Sequence, residues 1–324
     1  ADPPEMFHIL YGLSINRMTS DRFLEGLASA KDMLDYAEKG DNLSGKVLAN
    51  RWYGTMQWFL PDLQPAQLHL ERALALYDEA EHKTLIYHYG HDPKALGLAY
   101  LGNVMAARGF ADQGRRLVDE AVSYGGQLDF PYGIAHVNFV AAVFFCAINE
   151  PENVGRHTAV QARIAEDYDF PFWESLAWSL AGWAHRKQDP KQARNDRERG
   201  LEQVRQLKMG PGLTFNWVLH ADALIEEGDI KEAERILENA RSLADQLGAK
   251  FNYAEIIRLQ GVCHLHGDNE DAEAAEALLR EAMVVAGEQK ARLYELRAAT
   301  SLARLWQSQG KNVQAHDLLA PVYG

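Results

Sequence analysis

Three histidines and an aspartate crowd the stretch EHKTLIYHYGHDP: His82, His88, His91 and Asp92. Imidazole and carboxylate are the ligands of a divalent cation, and an exposed imidazole also suits a partner's polar groups. His88 and His91 lack a third ligand at a defined spacing, so contact with a partner suits them better than metal binding. Asp92-Pro93 has a second meaning, because Asp caps a helix N-terminus and Pro fits its first turn. A second cluster, CHLHGD, brings together Cys263, His264, His266 and Asp268. Cys263 and His266 fall near one helical face, but Gly267-Asp268 reads as a turn, which weakens a metal site there. No Ser nucleophile elbow and no His–carboxylate acid–base pair stands out. GDNLSGK at 40–46 has the wrong spacing for a phosphate loop. Neither catalysis nor a bound cofactor is expected of this chain.

Composition narrows the partners. The chain has 324 residues, 47% of them apolar, with 33 basic and 46 acidic residues and a net charge of −13. Such a balance does not attract a nucleic-acid backbone. Its most basic run, KQARNDRERG, is interrupted by Asp196 and Glu198 and reads as a solvated helix face. The two cysteines, Cys146 and Cys263, lie within apolar helical patterns and read as buried free thiols. No secretory signal pattern opens the sequence, and the apolar run FVAAVFFCAI from Phe139 to Ile148 is too short to span a bilayer. A cytoplasmic protein without membrane contact is expected.

The elements that must carry these residues are helices. Apolar residues recur at helical spacing throughout, and turn signals follow each pair of helical patterns. WVLHADALIEEGDIKEAERILENA (217–240) aligns with ATSLARLWQSQGKNVQAHDLLAPV (299–322). In both, a small residue precedes a Gly, and Ala and Leu follow at matching intervals. This spacing resembles the tetratricopeptide repeat, in which two helices approach closely where both carry small side chains. Small crossing residues at 12, 54, 102, 142, 182, 221, 261 and 303 predict about eight hairpins with a period near forty residues. The expected fold is therefore an all-α superhelical solenoid over residues 1–324. The widest interval, from Gly54 to Gly102, implies an extra loop around residues 79–93.

LDFPYGIAH and YDFPFWESLAW repeat Asp-Phe-Pro-aromatic one period apart. That stretch suits either an aromatic ligand cage or a joint between hairpins. The fixed spacing favours the joint, with Pro131 and Pro171 opening helices and Phe130 and Phe170 plugging the seam.

In tetratricopeptide arrays, first-helix residues three before, one after and four after the crossing residue face the inner groove. On this chain those positions hold Arg51, Thr55 and Trp58, then Ala99, Asn103 and Ala106, then Phe139, Val143 and Cys146. Further along come Ser179, Trp183 and Arg186, then Val218, Asp222 and Ile225. Arg258, Val262 and Leu265 follow, and Thr300, Arg304 and Gln307 complete the set. The candidate contacts are Arg51, Trp58, Asn103, Phe139, Trp183, Arg186, Asp222, Arg258 and Arg304. They suit a peptide, or a polar ligand with an apolar part. Burial of Trp58 and Trp183 against the next repeat is the alternative. The Lys/Asn clamp of chaperone-tail binders is not reproduced, since Asn103 has no accompanying Lys.

HLERALALYD (69–78), YGHDPKALGLAYLGNVMAARGF (89–110) and ELRAATSLARLWQSQGKNVQAHDLLAPVYG (295–324) go beyond a generic repeat. They resemble the C-terminal repeat region of large bacterial signalling proteins. In these, a class III adenylate/guanylate cyclase or DNA-binding domain precedes a STAND-type ATPase module and then the repeats. The resemblance implies a non-catalytic sensor that binds a protein, peptide or small-molecule inducer and controls an attached output. The chain opens without Met, and its last segment is the apolar LLAPVY, where a solenoid needs a polar outer face. It is expected to be an excised part of a longer protein. Self-association through apolar ends, giving a homo-oligomer, is the competing expectation.

Overall fold

The computed structural model describes residues 5–20, 22–207, 210–266 and 271–323. Among the described residues every regular element is a helix. The first two hairpins are α1 (Glu5–Thr19) with α2 (Phe23–Lys39), and α3 (Leu43–Phe59) with α4 (Leu63–Leu76). Two short helices follow, α5 (Glu79–His82) and α6 (Leu85–Tyr89). Next come α7 (Pro93–Ala107) with α8 (Ala111–Gly126), and α9 (Pro131–Ala147) with α10 (Pro151–Asp167). After them stand α11 (Pro171–Ala184) with α12 (Pro190–Gln206), and α13 (Gly210–Glu227) with α14 (Ile230–Leu247). The last two pairs are α15 (Tyr253–Cys263) with α16 (Ala272–Glu288), and α17 (Arg292–Ser308) with α18 (Asn312–Tyr323). The extra segment expected as a loop around 79–93 is thus mostly helical.

Successive first helices, α7, α9, α11, α13, α15 and α17, pack on one another and form the inner layer, while their partners form the outer one. Composition decides the layers. Helices α7 and α9 are apolar nearly all round and buried on every side. Helices α8, α12 and α14 carry one apolar stripe and leave charged faces to solvent. The result is an all-α solenoid of eight tetratricopeptide-like hairpins.

Local chemistry sets the hairpin ends. Proline occupies the first turn of α7, α9, α10, α11 and α12. Asp92 caps α7 by accepting from the Ala95 amide at 2.9 Å, so this part of the histidine stretch is structural. Asp129 and Asp169 adopt φ of 48° and 54°, a left-handed conformation that Asp tolerates better than most residues. Phe130 follows in an extended conformation and Phe170 at φ −105° and ψ 78°, and both are half-buried at the joints. Phe130 packs on Tyr87, and Phe170 on Tyr132.

One expected crossing is displaced. Gly12 is exposed, and a Cβ there would touch nothing. Helices α1 and α2 instead meet where Ser14 lies against Gly26, with Ser14 Oγ donating to the Gly26 carbonyl at 2.7 Å. The Gly267-Asp268 turn lies outside the described residues.

Candidate functional site

The superhelix closes on itself around a belt of aromatic rings. Trp58 of α3 lies 5.5 Å from Tyr100 of α7, which lies 6.0 Å from His136 of α9. His136 packs at 4.7 Å on Trp173 of α11, and Trp173 lies 5.7 Å from Phe139 of α9. Phe139 meets Phe215 of α13 at 6.3 Å, and Phe215 stacks at 6.2 Å on Phe251, in the turn before α15. Phe251 returns to Trp58 at 5.0 Å. The Trp58–Tyr100, Tyr100–His136 and Phe139–Phe215 contacts are edge-on, an arrangement that ring quadrupoles favour, and the others are tilted or stacked.

The belt lines a partly open cavity of about 220 Å³, also lined by Trp52, Tyr89, His91, Tyr132 and Phe172. Of the predicted groove positions, Trp58, Phe139 and Val143 line it. The other belt members escaped the fixed-offset rule. A weak signal did mark part of the site: Tyr132, Phe172 and Trp173 directly follow the two Asp-Phe-Pro stretches. There the phenylalanines make the joints, and the aromatics after Pro131 and Pro171 line the cavity.

Arg51 was expected to face the groove, but it is 1% exposed and sits behind the cavity wall. Its Nη2 donates to the Tyr11 hydroxyl at 2.8 Å and to Nε2 of His91. A guanidinium only donates, so Nε2 must accept and the His91 proton resides on Nδ1. Burial and the Arg51 charge hold the His91 ring well below the usual histidine range. The same causes lower His136 to about 3. His91 is therefore a neutral, buried part of the cavity wall and not a surface contact, whereas His88 is exposed.

Other predicted contacts are engaged internally. Asn103 is buried and donates to the carbonyls of Ala99 at 3.0 Å and Val140 at 3.1 Å, tying α7 to α9. Trp183, 2% exposed, donates to Asp222 Oδ2 at 2.9 Å. Arg186 lies 4.1 Å over the Trp183 ring and forms paired bonds of 3.1 Å to Glu226. Trp183 and Asp222 still line a small pocket of about 40 Å³ beside the aromatic cavity, together with Glu255 and Arg297. Glu255 accepts from Arg258 at 2.7 and 2.9 Å and from Arg297 at 2.6 Å. These two arginines pull its carboxyl down to about 2 against the opposing effect of burial.

Beyond Arg258 the inner face opens. A groove of about 870 Å³ is lined by Arg258, Val262, Leu265, His266, Ser301, Arg304 and Leu305, with contributions from α15, α16 and α17. Arg304 is exposed and has no ion-pair partner among the described residues. Cys263 is buried and Cys146 half-buried. Both are free, and burial pushes both thiols up to about 12. Among the described residues no three His, Cys, Asp or Glu side chains are grouped to hold a metal ion. No helix among them is long and apolar enough to cross a membrane.

No protein-family model matches the sequence, and no curated protein matches it either. Solved structures do match. A Rap protein complexed with Competence and Sporulation Factor has a TM-score of 0.63 and 10% identity, covering 99% of this chain and 98% of that one. The Rap conjugation gene regulator of the plasmid pLS20, in complex with the Phr* peptide, has a TM-score of 0.60 and 11% identity, covering 100% and 95%. Aspartyl phosphate phosphatase F from Bacillus subtilis has a TM-score of 0.50 and 13% identity, covering 100% and 84%. At such identities the likeness is one of fold: these neighbours share the helical-repeat solenoid along nearly the whole chain.

Proposed function

We propose that this chain is a non-catalytic sensor module that receives a peptide on its inner face. The carrying observation is the open groove between α15 and α17. There the unpaired Arg304 stands beside the apolar side chains Val262, Leu265 and Leu305. A cation bordering an apolar floor suits a short peptide with an acidic residue next to an apolar anchor. Two fold neighbours were solved as complexes, one with the Phr* peptide and one with Competence and Sporulation Factor, which supports the reading. Residues 1–324 would form a single cytoplasmic solenoid. By the resemblance of its repeats, it would regulate an attached cyclase or DNA-binding output through a STAND-type ATPase.

Selection of random peptides against the purified chain tests the proposal. Acidic, apolar-anchored peptides should be enriched, and Arg304→Glu should abolish their binding while leaving the fold intact. Enriched peptides that bind Arg304→Glu equally well would overturn it.

A second reading rests on α1, where Met6, Ile9 and Leu13 form an exposed apolar stripe at helical spacing. This stripe suits self-association. Light scattering showing a monomer at every concentration would remove that reading.

A further inference from the structure

Among the described residues, the wall of the aromatic cavity contains no Asp, Glu, Lys or Arg. An engineered apolar cavity of roughly 150 Å³ holds benzene. At about 220 Å³, this one has room for a single substituted ring.

Behind the wall lies a charge that the fold leaves unbalanced. Arg51 is buried, its side-chain partners Tyr11 and His91 are both neutral, and its Nε has no partner. No carboxylate pairs with it among the described residues. A buried cation normally acquires a counter-ion, because desolvation without one is costly. The Arg51 field reaches the cavity: with burial it opposes protonation of His91 and His136, and at Tyr100, whose hydroxyl burial holds above its usual range, it acts in the opposite sense; all three residues belong to the wall. His91 transmits that field directly, because its Nε2 accepts from Arg51 and its ring is polarised toward the guanidinium. An ammonium ligand would be repelled here, and a carboxylate would supply the missing charge.

We propose that the cavity is a binding site for a small aromatic carboxylate. Its ring would lie within the belt formed by Trp58, Tyr100, Phe139, Trp173, Phe215 and Phe251. Its carboxylate would lie on the Arg51 side, against His91 and Tyr100. This site is distinct from the peptide groove and does not rest on it.

Titration of the full chain with phenylacetate, phenylacetamide and phenethylamine tests the proposal, followed by ligand-observed NMR and by tryptophan fluorescence, since Trp52, Trp58 and Trp173 line the cavity. Phenylacetate should bind saturably, about tenfold more tightly than the amide, and the amine should not bind. Arg51→Met should equalise the acid and the amide. Thr19→Trp places bulk at a half-exposed rim position of the cavity, so it should abolish binding without lowering the melting temperature. This second variant decides the matter if Arg51→Met does not fold. Arg304→Glu should leave phenylacetate binding unchanged, which separates this site from the groove. Equal binding of acid and amide to the native chain would overturn the proposal. So would undiminished binding to Thr19→Trp, or no binding at millimolar phenylacetate.

Discussion

Glu255 holds two arginines in a buried corner of the inner face, one from its own helix and one from α17. Its depressed carboxyl, at about 2 against 4.5 when unfolded, makes the bond a stability term with a defined pH window. The contribution is fully present above pH 4.5, where both states are ionised, and is lost as pH falls toward 2. Glu255→Gln leaves Arg258 and Arg297 without this counter-charge, so a loss of about 3–5 kcal/mol is expected. Urea denaturation at pH 7 measures it. A variant within 1 kcal/mol of the native chain would show that Asp222, 3.8 Å from Arg258, carries the pair instead. His220 acts in a higher window. It is 4% exposed, accepts from Arg197 Nε at 3.3 Å, and is lowered from 6.5 to about 4, chiefly by burial. Because the unfolded ring binds the proton first, stability from His220 is complete above pH 6.5 and declines below it. The loss at pH 5 is about 2 kcal/mol. His220→Asn should flatten the fall in urea midpoint between pH 7 and 5, and an unaltered slope would place that acid sensitivity elsewhere.

At the scale of the helix pair, small side chains set how closely the layers approach. A Cβ on Gly102 would meet Val118 Cγ2 at 2.6 Å and the Gly114 carbonyl at 2.8 Å. Gly102→Ala must therefore push α7 from α8, and a loss of about 1–3 kcal/mol is expected. Gly12, in the middle of α1 with open space around it, behaves oppositely. Gly12→Ala removes backbone freedom from the unfolded chain and should stabilise by about 0.5–1 kcal/mol. Thermal melts of the two variants should move in opposite directions, and parallel shifts would refute the steric account. The contrast also shows how legible the fold was. The period survives in the sequence because close helix crossings tolerate few residue types, as at Gly54 against Leu70, Gly182 against Ala193 and Gly261 against Leu279. Gly12 was misleading because a glycine reports a close approach only when a neighbour is present. In the first hairpin the close contact falls on Ser14 and Gly26.

At the scale of the whole molecule, the belt was largely illegible for a geometric reason. A rule of fixed offsets assumes that each hairpin presents the same level of its first helix to the groove. The winding of the solenoid moves that level. Trp58 follows its crossing residue Gly54, Tyr100 and Phe139 precede Gly102 and Ala142, and Trp173, Phe215 and Phe251 lie still nearer the starts of their hairpins. The offset rule therefore found Trp58 and Phe139 and missed the rest. Long-range closure is equally invisible along the chain, since it joins α3 to the turn before α15. Gly248 in that turn has a φ of 71°, and a Cβ on it would meet Leu24 of α2 at 2.9 Å, so the turn and the second helix come together only around a glycine. Lys290 donates to Gln64 at 2.6 Å and Arg297 to the Ala147 carbonyl at 3.3 Å, adding polar ties between early and late hairpins. Phe251 is the apolar keystone, 8% exposed, in contact with Trp58, Phe59 and Phe215. In a solenoid most stability is local to neighbouring repeats. Loss of this ring should therefore loosen the superhelix more than it unfolds any hairpin. Phe251→Ala is expected to raise the radius of gyration measured by small-angle X-ray scattering while far-UV circular dichroism stays unchanged. An unchanged radius would mean that the polar ties alone hold the turn closed. A parallel loss of helix signal would mean that the belt is required for the hairpins themselves to fold.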